Sequence, residues 1–209
     1  MDLKDIILEL ERMGAIKFGD YVLKSGIKSP VYFDLRVMVE KPKLVKAIAD
    51  IMWKTFTKSQ KSGSKPDLLC GVPYTALPLA TLISVSQDIP SIIKRKEKKA
   101  YGTKKMLEGK FEEGEKCLII EDVVSSGMSV LETVEELKKE KLKITDVVVF
   151  LDREQGGQEN LKEKDINVHN VVNVTDLINI LHGANRISDE EKKNVEDFIV
   201  NNKLNMQGE

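Results

Sequence analysis

The apolar residues of this chain fall into short runs, which alternate with longer stretches where apolar positions recur every three or four residues. The runs predict β-strands over residues 67–72, 91–94, 116–122, 146–151 and 167–174. The stretches between them predict helices over residues 75–85, 129–140 and about 155–164. Strands that are apolar throughout and are separated by amphipathic helices are typical of a parallel sheet covered on both faces. We therefore expect an α/β fold.

The N-terminal segment follows a different pattern. Helical spacing over residues 3–13 ends at Gly14, and two extended segments, 16–23 and 30–34, follow it. Pro42 then stands where the first turn of a helix tolerates proline, and that helix is predicted to end near residue 58.

The C-terminal segment predicts two further helices. One covers residues 175–183 with Thr175 as its cap, and the next begins after Ser188, whose spacing to Glu191 is that of a capping box. We expect one domain over residues 1–209, with an α/β core at about 41–174 and a small cap built from about 1–40 and 175–209.

The composition is that of a folded chain with almost no net charge. Of 209 residues, 41% are hydrophobic, and 33 Lys and Arg stand against 34 Asp and Glu, a net charge of −1. This balance argues against a broadly basic nucleic-acid binder or a polybasic membrane protein, and no apolar run approaches the ~20 residues of a membrane span.

Residues 1–5 are acidic where a signal peptide is basic, and Cys70 and Cys117 make neither a disulfide framework nor a zinc site. We expect a soluble, cytoplasmic protein that binds neither nucleic acid nor membranes.

One basic segment is hidden by the balanced total. Residues 94–110 contain eight Lys or Arg and two Glu, whereas the rest of the chain is acidic. An exposed basic loop is often only solvated surface, so its meaning depends on the motifs beside it.

Residues 117–129 carry the most informative motif. A buried strand ends in Glu121 and Asp122, a turn of Ser125-Ser126-Gly127 follows, and a helix begins with Ser129 and Glu132 at capping-box spacing. Such a turn offers N–H groups and hydroxyls to a phosphate at a helix N-terminus, at the strand edge where ligands of α/β sheets bind. Two carboxylates suit sugar hydroxyls instead. The motif predicts a cradle for a sugar phosphate, the alternative being an ordinary strand end with an acidic turn.

This stretch resembles the phosphoribosyl-pyrophosphate signature of the type I phosphoribosyltransferases. Four more segments resemble those of the orotate phosphoribosyltransferases, above all the animal type that is often fused to orotidylate decarboxylase as UMP synthase. They are the orotate-side segment 18–34, the pyrophosphate loop 71–78, the mobile catalytic loop 95–102 and the second orotate-side segment 151–157. These segments run in family order, and the likeness covers nearly the whole chain.

The resemblance implies a type I phosphoribosyltransferase-like parallel sheet and a reaction. Orotate and 5-phosphoribosyl 1-diphosphate would give orotidine 5′-monophosphate and diphosphate, in de novo pyrimidine (UMP) biosynthesis. The ribosyl carbon would pass through an oxocarbenium-like state, while cations stabilise the leaving diphosphate. Mg²⁺ would be held mainly by substrate oxygens and water, with few or no direct protein ligands. A homodimer is implied, because the basic loop is expected to reach the partner's site.

The resemblance also assigns roles to residues. Lys99 is expected to be the main catalytic residue, with Asp122 and Arg95 as further catalytic groups. The residues expected to bind 5-phosphoribosyl 1-diphosphate are Lys24, Tyr74, Thr75, Arg95, Lys96, Lys99, Tyr101, Glu121, Asp122, Val123, Val124, Ser125, Ser126, Gly127, Met128 and Ser129. Those expected to bind orotate are Lys24, Tyr32, Phe33, Ser125 and Arg153.

Two alternatives compete with this interpretation. A purine phosphoribosyltransferase would share the cradle, but a purine offers no carboxylate for Lys24 and Arg153. A catalytically silent module that binds the same phosphorylated sugar is supported only by Ala100, which stands where the loop usually has an acidic residue. Arg153 has a simpler alternative of its own, a surface salt bridge with Asp152 or Glu154.

Overall fold

The structure is a computed structural model that describes residues 1–22, 26–59, 65–97 and 106–206. Its strands are β1 (Ile16–Val22), β2 (Lys28–Phe33), β3 (Leu68–Gly71), β4 (Ser91–Lys94), β5 (Leu107–Glu108), β6 (Cys117–Val124), β7 (Asp146–Asp152) and β8 (Asn167–Asn173). Its helices are α1 (Leu3–Arg12), α2 (Pro42–Ser59), α3 (Ala76–Gln87), α4 (Met128–Lys139), α5 (Gly157–Lys162), α6 (Val174–Gly183) and α7 (Asp189–Met206), with a 3-10 helix over Leu35–Glu40.

A six-stranded sheet forms the centre of the fold. Its strand order is β5-β4-β3-β6-β7-β8, and the neighbours from β4 to β8 are parallel, as predicted. Within this sheet β5 is the exception, because it pairs antiparallel with β4. The strands β1 and β2 pair antiparallel with each other in a separate two-stranded sheet. The predicted α/β architecture is confirmed.

The sheet is covered on both faces because its strands are apolar on both sides. In β7, Val148 and Phe150 are fully buried in the cluster that includes Met52 of α2. Val147 lies on the opposite face, in the cluster that includes Leu137 of α4. Helices on both faces leave β7 no solvated side, which is why its sequence is a continuous apolar run.

The segments outside the sheet contain elements that the sequence pattern did not predict. Between β2 and α2 the chain forms the 3-10 helix, whose N-cap Asp34 accepts the N–H of Arg36 at 3.2 Å. The strand β5 was also missed. It contains two residues and pairs only through Leu107 and Glu108, too short for any alternation to be visible.

Two predicted helix starts are wrong. The cap of α6 is Asn173, whose side chain accepts the N–H of Asp176 at 2.7 Å, rather than Thr175. The capping box between Ser129 and Glu132 does not form, because α4 begins on Gly127 with a φ of 80° and without a side-chain cap bond. Glycine adopts this left-handed conformation without the steric penalty of a side chain, so the helix begins before Ser129.

The first and last elements of the chain lie together. Arg186, just after α6, donates to Glu11 of α1 at 2.9 Å, and α7 packs beside β2. The division into a cap and an α/β core stays a prediction. Among the described residues, none of the helices combines the length and the apolar character that crossing a membrane requires.

Removing the cap of α7 should destabilise the fold. The Ser188 hydroxyl accepts the N–H of Glu191 at 3.1 Å, while the Glu191 carboxylate accepts the N–H of Ser188 at 2.8 Å. Ser188→Ala should therefore lower the free energy of unfolding by about 1 kcal/mol. Ser129→Ala is the matched control and should change it by less than about 0.5 kcal/mol. Urea denaturation measures both, and equal losses would contradict the helix starts described above.

Candidate functional site

Four loops meet where the parallel strands β3, β4, β6 and β7 end. In the pairing register, Gly71 of β3 lies beside both Ile93 and Ile120, and Val124 of β6 lies beside Asp152. The residues that follow these positions therefore emerge at one edge of the sheet. This is the edge where ligands of open α/β sheets bind. Four parts of the chain meet at this edge. They are the turn after β3, the described part of the basic segment, the acidic pair with the turn that follows it, and the loop after β7.

The turn between β6 and α4 forms a small cavity. The cavity has a volume of about 110 Å³ and is lined by Glu121, Val123, Val124, Ser125, Ser126, Gly127, Met128, Ser129 and Val130. The N–H groups in the first turn of a helix have no partner within it, and α4 begins directly at this cavity. An anion such as phosphate suits the position. Among the residues predicted for the cradle, only Asp122 is absent from the lining.

The turn is held in place by close packing against α5. The Asn160 side chain donates to the carbonyl oxygen of Ser126 at 3.0 Å. A Cβ atom added to Gly157 would lie 2.8 Å from Cγ2 of Val124 and still closer to the carbonyl oxygen of Ser125. Only glycine therefore fits at the first residue of α5, and this contact fixes the turn relative to the loop after β7.

Glu121 and Asp122 are adjacent carboxyl groups, and each affects the pKa of the other. Glu121 is 4% exposed, and its Oε1 accepts the N–H of Asp122 at 2.9 Å. Burial raises the pKa of the Glu121 carboxyl well above its ordinary value, and its hydrogen bond to the Asp122 side chain raises that pKa further. Burial also raises the pKa of Asp122, although the hydrogen bond from Glu121 opposes the shift. The pair holds a proton more readily than two separate carboxyl groups.

Arg153 lies in the loop after β7 with part of its guanidinium unsatisfied. Its N–H donates to the carbonyl oxygen of Val124 at 2.9 Å, and its guanidinium carbon lies 5.6 Å from the centre of the Phe33 ring. Among the described residues, its buried Nη2 has no hydrogen-bond partner. Burial lowers the pKa of this side chain, opposed by the nearby Tyr32. A buried polar nitrogen without a partner is costly, and a ligand carboxylate would satisfy it.

Asp152 bonds to the loop and to α5 rather than forming the salt bridge that was considered for Arg153. Asp152 accepts the N–H of Glu154 at 2.9 Å and Nε2 of Gln158 at 2.6 Å. Burial raises the pKa of this carboxyl, against the effect of these two bonds. Asp152 thus serves to order the loop.

The aromatic residues predicted beside the base lie on β2. The ring centres of Tyr32 and Tyr21 are 5.4 Å apart, and the ring of Phe33 faces Arg153. The hairpin of β1 and β2 therefore supplies one wall of the region around Arg153.

The basic segment begins with two cations that already have partners. Nε of Arg95 donates to Oε1 of Glu108 on β5 at 2.7 Å. Nζ of Lys96 lies 5.3 Å from the ring centre of Tyr74, which is 65% exposed in the turn after β3, next to Thr75. The turn and the basic segment are therefore in contact. Lys24, Lys99 and Tyr101 lie outside the described residues, as does Ala100.

Sequence reasoning missed two cations near the acidic pair. Arg36 donates two hydrogen bonds to Asp34, at 2.6 and 2.8 Å, and its charge opposes the raised pKa of Asp122 that burial causes. Lys94 is buried at the end of β4, and its charge acts to lower the pKa of Glu121. The sequence held a clue to each. Arg36 follows shortly after Tyr32 and Phe33, which were predicted to contact the base. Lys94 occupies a position in β4 that alternation places on the same side as the buried Ile92.

Within the described parts of the chain, no group of three or more His, Cys, Asp and Glu side chains lies close enough together to hold a metal ion.

Comparison with known proteins places these features in one family. Residues 38–180 match the sequence model of the phosphoribosyl transferase domain. The chain is 46% identical to uridine 5′-monophosphate synthase of Bos taurus over 96% of its own length and 41% of that protein. It is 39% identical to orotate phosphoribosyltransferase of Caenorhabditis elegans over 91% of its length and 83% of that protein. The structure of Leishmania donovani UMP synthase superposes with a TM-score of 0.85 at 30% identity, over 95% of this chain and 42% of that one. The chain thus spans about two fifths of the UMP synthases it matches.

Filling the space at Gly157 should damage the turn. Gly157→Ala should lower the free energy of unfolding by about 1–3 kcal/mol, because the new methyl group meets backbone that cannot move aside cheaply. Gly183→Ala is the matched control, since a Cβ there meets nothing within 4 Å, and it should be neutral or stabilising by up to about 1 kcal/mol. Urea denaturation compares them, and equal effects would show that the Gly157 contact is not tight.

The acidic pair should make stability depend on pH. A carboxyl whose pKa is raised by folding costs stability once the pH exceeds its ordinary value of 4.5, because the unfolded chain ionises it more easily. Glu121→Gln removes that cost, so the variant should gain stability over the native chain as the pH rises. The gain should be at most about 1.4 kcal/mol per pH unit, until the native carboxyl ionises.

Denaturation at several pH values between about 5 and 8 measures this gain. Glu132→Gln, on an exposed position of α4, is the control and should differ from the native chain by a constant amount. A difference for Glu121→Gln that does not change with pH would contradict the raised pKa.

Proposed function

Because the chain belongs to the phosphoribosyl transferase family, we propose that it transfers ribose 5-phosphate from 5-phosphoribosyl 1-diphosphate to orotate. The products are orotidine 5′-monophosphate and diphosphate, and the step belongs to pyrimidine biosynthesis. The predicted type I phosphoribosyltransferase-like fold is confirmed by solved structures that superpose over most of the chain.

One observation supports orotate as the acceptor above all others. The Nη2 atom of Arg153 is buried beside the acidic pair's edge of the sheet and has no hydrogen-bond partner among the described residues. Orotate carries a carboxylate, which can accept two parallel N–H bonds from a guanidinium. The ring of Phe33, whose centre lies 5.6 Å from the guanidinium carbon, offers an apolar surface for the pyrimidine. Tyr32, Ser125 and Lys24 complete the proposed base site.

The phosphate of the ribose 5-phosphate group is proposed to bind in the cavity between β6 and α4. Its lining supplies backbone N–H groups at the start of α4 and the side-chain hydroxyls of Ser125, Ser126 and Ser129. The helix dipole favours a negative charge at this end. Binding here fixes the ribose relative to the loop after β7, because the turn packs directly on Gly157.

The acidic pair is proposed to hold the ribose hydroxyls. As the bond to diphosphate breaks, positive charge develops on the ribosyl carbon, and a nearby carboxylate stabilises it more than the uncharged ground state. Asp122 suits this role better than Glu121, since Glu121 is almost completely buried whereas Asp122 is only partly buried.

The leaving diphosphate is proposed to bind between the turn after β3 and the basic segment. Tyr74 and Thr75 provide the turn, and Arg95 and Lys96 provide charge. Lys99 is the proposed main catalytic residue, with Tyr101 beside it. When the diphosphate enters, Arg95 must give up its bond to Glu108 in order to bind it. Lys96 must likewise leave the ring of Tyr74.

A magnesium ion is proposed to accompany the diphosphate. The oxygen donors of Glu121 and Asp122 fit the preference of this hard ion, but the described residues hold no cluster that would enclose it. Diphosphate oxygens and water would therefore supply most ligands. When bound, the ion neutralises negative charge on the leaving group.

A cytoplasmic homodimer is the proposed unit. Val85 on α3 and Ile93 on β4 are large apolar side chains left 77% and 50% exposed in the single chain. Burying them against a second copy would remove apolar surface from water. Because β4 leads directly into the basic segment, such a contact would bring that segment close to the partner.

A turnover assay with Arg153 variants tests the function and its base site together. The purified chain is given 5-phosphoribosyl 1-diphosphate and Mg²⁺, and the loss of orotate absorbance is followed. The native chain should consume orotate but neither adenine nor hypoxanthine. Arg153→Ala should lower kcat/KM for orotate at least about 30-fold, the equivalent of about 2 kcal/mol for one lost partner of a buried charge pair.

The controls separate the alternatives. Arg12→Ala removes an exposed arginine paired with Glu9 and should leave turnover unchanged. The preference for orotate over uracil, which lacks the carboxylate, should fall in Arg153→Ala by the same factor as kcat/KM. Turnover of a purine instead would favour a purine-specific enzyme, and binding without any turnover would favour a silent module. Unchanged kinetics in Arg153→Ala would contradict the base site.

A further inference from the structure

Carboxylates on both sides of Arg153 fasten the loop after β7 to two different helices. Asp152, 3% exposed, accepts Nε2 of Gln158 in α5 at 2.6 Å. The carboxylate of Glu154 extends to the first turn of α6, where Oε2 accepts both the N–H and the hydroxyl of Thr175, at 2.8 and 2.6 Å. Arg153 is therefore held between two anchored neighbours.

The backbone of Glu154 lies in a conformation that glutamate rarely adopts. Its φ is 56°, within the left-handed region. Such a residue persists only where the surrounding structure holds it, and residues of this kind concentrate at ligand sites. Hydrogen bonds on two sides hold it: Asp152 accepts its N–H at 2.9 Å, and its own carboxylate accepts two bonds from Thr175. The bond from the Thr175 N–H also satisfies a group that has no partner inside α6, and it places negative charge at the helix N-terminus.

The direction of the chain at Glu154 determines where the Arg153 side chain lies. The N–H of Arg153 is fixed to Val124 at the end of β6, and the N–H of Glu154 is fixed to Asp152. Beyond Arg153, the Glu154 carboxylate adds the bonds that tie the chain to α6. If Glu154 were released, the peptide that joins it to Arg153 could return to an ordinary backbone conformation. The guanidinium would then leave the ring of Phe33.

We propose that Glu154 is a positioning residue for the base site, acting through Thr175 to keep the guanidinium of Arg153 aimed beside Phe33. The carboxylate touches neither substrate in this role. The effect on catalysis rests on the function proposed above, whereas the effect on the loop does not. The α6 helix, which carries Thr175, is thereby coupled to binding of the base but not to binding of the ribose phosphate.

Kinetics of four variants test the selective effect. Glu154→Ala should raise KM for orotate at least about tenfold, since small displacements of a positioning group are expensive, and should change KM for 5-phosphoribosyl 1-diphosphate by less than about twofold. Glu154→Gln should restore most of the loss, because its Oε1 still accepts both bonds. Thr175→Val should lie between them. The double variant Glu154→Ala with Thr175→Val should be no worse than Glu154→Ala, since both remove one contact.

Amide hydrogen exchange gives a readout that needs no turnover. In Glu154→Ala, the amides of residues 152–156 should exchange faster than in the native chain, while those of residues 125–129 should not change. Should Glu154→Ala fail to fold, Thr175→Val supplies the same comparison. If the native chain does not use orotate, the function is wrong, but the exchange result still tests the positioning. Unchanged exchange at residues 152–156, or a parallel rise of both KM values, would overturn the proposal.

Discussion

The candidate site depends on the parallel register of β3, β6 and β7. Gly71 lies beside Ile120, and Val124 lies beside Asp152, so the acidic pair, the turn and the Arg153 loop all emerge at one level of the sheet edge. A slip of one residue would turn every side chain of a strand to the opposite face. Burial on both faces specifies the register, because nearly all apolar residues of these strands are buried and a slip would leave them without their packing partners.

Two contacts fix the loops relative to the end of β6. Gly157 packs on the turn at Ser125, and Arg153 bonds to the last carbonyl of β6, at Val124. Around these contacts the chain tolerates several unfavourable groups. They are the buried Nη2 of Arg153, which has no partner in the described parts of the chain, the raised pKa of the Glu121 carboxyl and the left-handed backbone of Glu154. Such groups destabilise a fold, and their concentration at one edge is typical of a functional site.

Local patterns were sufficient to predict the central strands and the helices between them, because apolar runs and helical spacing are short-range signals. The turn at Ser125 was also predictable, since its residues are contiguous. The start of α4 was not, because Gly127 competes with Ser129 and packing on α5 decides between them. The bond between Glu154 and Thr175 joins residues 21 positions apart. The contact of Arg153 with Phe33 joins β2 to the loop after β7, which are far apart in the sequence. Neither leaves a local pattern, and for Arg153 only the likeness to a family pointed to the site.

The cations of the proposed site differ in the contacts that a ligand would displace. Arg95 already bonds to Glu108, and Lys96 lies near the Tyr74 ring, so a diphosphate bound there would compete with existing contacts. Nη2 of Arg153 meets no such competitor among the described residues. A carboxylate at the proposed base site would therefore gain its bonds without displacing a protein carboxylate. On the proposed diphosphate side, Arg95 and Lys96 would give their full charge to the ligand only after leaving these partners. If that exchange accompanies bond breaking, it would favour the departing diphosphate over the bound substrate.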